Sequence, residues 1–182
     1  MKQILLAICI AMTGLAHGQA LEFKGSRFGE SQAEFRDKQP GLQCPWPKQT
    51  CDVMDWSAPE GRDDAMMTYA GEPMRAVEAQ FEDGRLMAVT IEVKSESFDS
   101  VRTALVGKYG RPTSTLRSKV KTKIGATFDQ VVVSWIRKDG VIRLSRYGDT
   151  IETGVVSLRS AEWVKKQAGK NAEAERKAAA DL

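Results

Sequence analysis

Val77-Glu78-Ala79-Gln80-Phe81-Glu82-Asp83-Gly84-Arg85-Leu86-Met87-Ala88-Val89-Thr90-Ile91-Glu92-Val93 decides the fold class. Val77, Ala79 and Phe81 alternate with polar residues, as they do on a half-buried strand. Asp83-Gly84 is the pair that a tight hairpin turn demands, because both central residues take positive φ. Met87, Val89, Ile91 and Val93 then alternate on the return. Two strands joined so tightly are antiparallel.

Outward from this hairpin the same signals recur. Leu21-Glu22-Phe23-Lys24 reads as a first strand. Ser31-Gln32-Ala33-Glu34 has the capping-box form and opens a short helix through about Lys38, ended by Pro40-Gly41. Ala65–Ala70 reads as a strand turned by Gly71-Glu72-Pro73. After the hairpin, Phe98, Val101, Leu105 and Tyr109 recur at helical spacing. Ser97 is placed to cap that helix and Gly110-Arg111-Pro112 to stop it. A strand from Thr115 to Ile124 follows. A second Asp-Gly hairpin comes next, Val131–Lys138 and Val141–Tyr147 around Asp139-Gly140. Val155–Leu158 adds a strand, and Ser160 caps a last helix through about Ala168. The pattern predicts an α+β domain over residues 21–168: an antiparallel sheet built from hairpins, with two or three helices packed on it. The Ala-, Glu- and Lys-rich tail, 169–182, is expected to be helical or frayed.

The N-terminus reads as an export signal. Met1-Lys2 is followed by the apolar run Ile4–Leu15, then Gly18-Gln19-Ala20 with small residues two apart. The run is too short to span a bilayer, which takes roughly 20 apolar residues. Cleavage after Ala20, and a periplasmic or secreted location, are the expectation. No lipid-modifiable cysteine stands at that point; Cys9 lies too early. Cleavage removes Cys9 and His17, the only histidine. The remaining chain has no imidazole for a catalytic triad, a histidine base or a histidine metal ligand. Cys44 and Cys51 are left as an even pair in an oxidising compartment, and they read as a disulfide. Six intervening residues do not fit the C-x-x-C pattern of redox dithiols.

Charge is segregated along the chain. Leu21–Val101 holds 9 basic and 16 acidic residues, and Arg102–Arg146 holds 11 and 2. The densest basic stretch is Leu116-Arg117-Ser118-Lys119-Val120-Lys121-Thr122-Lys123-Ile124. A period of two sets Arg117, Lys119, Lys121 and Lys123 on one face and Leu116, Val120 and Ile124 on the other. Arg137, Lys138, Arg143 and Arg146 on the following hairpin extend the candidate patch. Four cations in a row repel one another, so their face is solvated, paired or bound to an anion. An anionic envelope component or an acidic protein suits it. Nucleic acid is not expected, because basic–aromatic interleaving is sparse. A lysine-rich edge also guards against aggregation.

Other motifs carry less. Ser118-x-x-Lys121 matches a serine–lysine motif but falls on a strand and lacks a following K-T-G. Met54, Met66, Met67, Met74 and Met87 have no M-x-x-M spacing and read as core filler. Asp63-Asp64 and Glu82-Asp83 sit beside turns, where adjacency gives no facing pair of carboxylates. Trp46 lies within the cysteine loop and Trp56 just after it. No cofactor motif is present. The expected role is a non-enzymatic binding protein (envelope accessory, adaptor or inhibitor). The alternative is a carboxylate-dependent cell-wall or polysaccharide hydrolase.

In order, Phe28-Gly29-Glu30-Ser31, Cys44…Cys51, Thr68-Tyr69-Ala70-Gly71, Phe81-Glu82-Asp83-Gly84-Arg85-Leu86 and Leu105–Pro112 resemble a group of uncharacterised proteobacterial periplasmic proteins. The short-helix-then-hairpin layout is also distantly similar to small α+β modules of outer-membrane assembly lipoproteins and β-lactamase-inhibitor proteins. Here the lipobox is missing and the C-terminal half is longer. The resemblance implies a binding role and transfers no site residues.

Overall fold

A computed structural model describes residues 20–44, 52–57 and 67–180. In chain order the elements are β1 (Glu22–Phe23), β2 (Ser26–Arg27), α1 (Gln32–Lys38), β3 (Val53–Ser57), β4 (Thr68–Tyr69), β5 (Glu72–Glu82) and β6 (Arg85–Lys94). A 3₁₀ turn, Ser95–Ser97, leads into α2 (Phe98–Tyr109). Then come β7 (Ser114–Lys121), β8 (Thr127–Arg137), β9 (Gly140–Ser145), β10 (Thr153–Ser160) and α3 (Ala161–Ala180). The main sheet is antiparallel, in the order β3-β5-β6-β10-β9-β8-β7, with β4 paired to β5. The fold is α+β, as the hairpin pattern predicts.

Local chemistry sets the element ends. Asp83 (φ 50) and Gly84 (φ 71) make the tight turn between β5 and β6. Ser31 forms the capping box on α1 with Glu34: its hydroxyl accepts from Glu34 N, and its own N–H donates to Glu34 Oε2 at 2.8 Å. Ser160 caps α3 by accepting from Trp163 N at 3.0 Å. Gly110 (φ 81) ends α2. Ser97 departs from expectation. Its backbone is already helical (φ −75, ψ 0), and its side chain makes no capping bond. Its hydroxyl instead donates to Glu72 Oε2 at 2.7 Å. α3 runs on through Gly169 to Ala180, so helix and tail are one element.

One face of the sheet carries the main core. Across the strands, Val77, Ile91, Val156, Leu144, Val133 and Thr115 stand in register on the same side. All but Thr115 are buried. Phe98, Val101 and Leu105 of α2, Phe35 of α1 and Phe23 of β1 complete that core. Phe35 meets Phe81 edge-on at 5.4 Å and Phe23 face-on at 6.3 Å. Glu78, Thr90, Ser157, Arg143, Ser134 and Ser114 form the next row, on the opposite face. Met54, Met74 and Met87 are buried, in keeping with the core-filler reading. Among the described residues no helix is long and apolar enough to cross a membrane.

Candidate binding edge

β7 is the outermost strand of the sheet, and every residue on it except Val120 is exposed. Its alternation from Leu116 to Lys121 is the one read from sequence. Arg117 pairs with Val131 and Thr115 with Val133, both buried residues of the core face. Arg117, Lys119 and Lys121 therefore project on the helix-bearing side of the sheet, beyond the reach of α2. Leu116 projects on the open side and is 61% exposed; Ile124 lies past the strand and is 93% exposed. The expected strand through Ile124 is thus corrected: it ends at Lys121, and only Leu116 and Val120 of the three share the open side. Alternation tells which residues share a face; it does not tell how far a helix covers it.

The cations divide into different environments. Lys123 is also corrected: it sits in the Thr122–Gly125 turn after β7, where Gly125 N–H donates to Thr122 O at 2.9 Å. Lys119 forms an ion pair with Asp129, its direct cross-strand neighbour. The hydrogen bond from Lys119, with the nearby Arg117 and Arg146 charges, holds the Asp129 carboxyl below the usual range. Among the described residues, Arg117 and Lys121 make no ion pair. Arg146 marks the edge of the α2 cover, stacked 4.8 Å from the Phe98 ring centre and 3.4 Å from Asp99 Oδ2.

Arg137 and Arg143 do not join this group. Arg143 stands in the Ser134–Ser114 row, on the opposite face of the sheet. Arg137 is engaged elsewhere. Its guanidinium bonds both Asp139 oxygens, at 2.9 and 3.2 Å, and lies 5.2 Å from the Tyr109 ring centre. Asp139 also accepts the N–H of Leu21 at 2.8 Å. Burial pushes the Asp139 carboxyl up, but Arg137 and the Leu21 N–H outweigh it and hold the group below its usual range. No sequence signal pointed to this clamp, whose members lie up to 118 positions apart.

Beyond the end of β7, the turn after the strand and the Tyr147–Glu152 connection enclose a cleft of about 630 Å³. Val120, Ile124 and Ile151 line it together with Lys121, Lys123, Asp149 and Glu152. Gln130 braces its wall: its side chain accepts from Tyr147 N at 3.1 Å and donates to Tyr147 O at 2.7 Å. Phe128 meets Tyr147 edge-on at 5.9 Å. The export signal before Ala20, Cys51, Trp46, Met66 and Asp63-Asp64 lie outside the described residues.

A protein-family model described as "Uncharacterised protein" matches residues 23–171. No curated protein and no solved structure matches the chain.

Proposed function

This chain belongs to that family, and from its basic edge we propose that it is a non-enzymatic, exported binding protein whose β7 surface takes an anionic partner. One observation carries the reading. An eight-residue edge strand, exposed along nearly its whole length, sets Arg117, Lys119 and Lys121 on one face, with a single carboxylate, Asp129, directly across from them. Two of the three cations keep their charge uncompensated by an ion pair among the described residues. Such a surface attracts anions over about one Debye length, roughly 8 Å at physiological salt.

Export belongs to the same reading. Removal of the leader after Ala20 would leave Leu21 first. Leu21 is buried, and its nitrogen already meets Asp139. The new α-ammonium would then stand beside a carboxylate. A Cys44–Cys51 disulfide, formed in the oxidising compartment, would close the intervening loop. An intact mass of the exported protein checks both the Leu21 start and the bridge.

The binding test uses the processed chain with two probes, labelled polyglutamate and vesicles rich in anionic phospholipid. Binding to one of them at low salt, lost on adding a few hundred millimolar salt, is the expected result. Arg117→Glu/Lys121→Glu should abolish it, whereas Arg143→Glu, on the other face, should not. Absence of binding to either probe at low salt, or equal loss in the Arg143 variant, would overturn the proposal.

A further inference from the structure

We infer that the partner is an extended peptide segment, with acidic and apolar residues alternating, that adds to β7 as a further antiparallel strand of the sheet. This deepens the reading of β7 as an anion-binding surface and rests on it.

The two edges of the sheet are treated differently. β3 is five residues long, and its outer side is covered: Asp55 exchanges both backbone hydrogen bonds with Gln43, at 3.0 and 3.1 Å. β7 has eight residues, holds an unbroken register with β8 and contains no proline. Among the described residues no strand pairs with its outer side. Short strands, bulges, prolines and covers are the usual protections of an edge. β7 has none of them, only its cations.

The phase of the β7–β8 ladder decides what that edge offers. Thr122 N–H donates to Ala126 O at 2.8 Å, which makes Thr122–Ala126 a hydrogen-bonded pair. Bonded and non-bonded pairs alternate along an antiparallel ladder. Val120, Ser118, Leu116 and Ser114 therefore direct their backbone groups toward β8. Thr115, Arg117, Lys119 and Lys121 direct theirs outward. The positions with open donors and acceptors are the cationic ones. An added antiparallel strand would set one residue directly opposite each of them, on the same face. A carboxylate there gains a charged cross-strand pair. Its intervening residues would lie beside Leu116 and Val120 on the open face, where apolar side chains cover exposed apolar surface.

A second copy of the chain is a poor occupant. Two β7 strands paired antiparallel about Lys119 would oppose Arg117 to Lys121 and Lys119 to itself. Like charges directly opposite are destabilising.

The experiment measures anisotropy of a labelled peptide of alternating Glu and Val against the processed chain. A second peptide of the same sequence carries N-methyl groups on the amides that would meet β7; its charge is unchanged. The first should bind at least about tenfold more tightly, since N-methylation removes several of the backbone hydrogen bonds at once. On the protein side, Lys119→Pro should bind at least about tenfold more weakly than Lys119→Gln, because glutamine keeps the outward N–H. Should Lys119→Pro not fold, the methylated peptide alone decides. Equal, salt-sensitive affinity for both peptides would overturn strand addition and leave the anionic surface standing. Binding to anionic vesicles but to neither peptide would do the same and assign the surface to lipid. Binding to none of these probes would overturn both.

Discussion

Gly140 is the residue the fold can least exchange. At φ +152, a Cβ there would lie 2.1 Å from the carbonyl oxygen of Arg159 and 2.6 Å from Cδ2 of Leu21. The first contact is with backbone of a central strand, which cannot step aside. Gly140→Ala should cost about 2–4 kcal/mol in urea unfolding. Its neighbour Asp139 ties the first residues of the domain to the β8–β9 hairpin. That carboxyl titrates below its ordinary range, so its stabilisation is complete above the unfolded-state value of about 4 and is lost as pH falls through the folded-state value. The stability gap between the wild-type protein and Asp139→Asn should therefore be full at neutral pH and close in acid. Urea midpoints across the acid range check this; a gap that persists at the lowest pH would refute it. Asp139-Gly140 was legible in the sequence as a turn. Its bond to Leu21 was not, because short-range patterns hold no information on partners 118 positions away.

Elements were legible where local chemistry alone sets them. The capping box at Ser31 and the tight turn at Asp83-Gly84 stand as the sequence indicates, because each is satisfied within four residues. Ser97 failed as a cap because a 3₁₀ turn, Ser95–Ser97, precedes α2 and Glu72 of another strand takes its hydroxyl. For β7 the alternation was legible and the facing was not. An edge strand lacks the neighbours whose burial gives one face its meaning. Leu116 supplies the measurable consequence. It is 61% exposed, so Leu116→Ala should cost less than about 1 kcal/mol, whereas truncating a fully buried aliphatic such as Val133 should cost about 2. Equal losses at both positions in thermal or urea unfolding would show that Leu116 is part of a core after all.

At the scale of the whole molecule, strand order converts a sequence bias into a spatial one. The acidic first half supplies β3, β5 and β6, and the basic stretch supplies β9, β8 and β7; β10 lies between them. Three strands thus separate β6 from β7, so the acidic strands cannot neutralise the basic edge. The hairpins were readable from sequence, and with them the α+β class. The insertion of β10 between β6 and β9 was not, since it joins segments far apart in the chain. That insertion puts β7 at one end of the sheet, while β3, bonded to Gln43, closes the other. Amide hydrogen exchange of the processed protein, free and saturated with the alternating acidic peptide, tests this account most directly. It predicts slowed exchange at Thr115, Arg117, Lys119 and Lys121, the outward positions of β7, with Val53–Ser57 unchanged. Unchanged exchange along β7, or protection confined to β3 or to the Arg143 face, would contradict it.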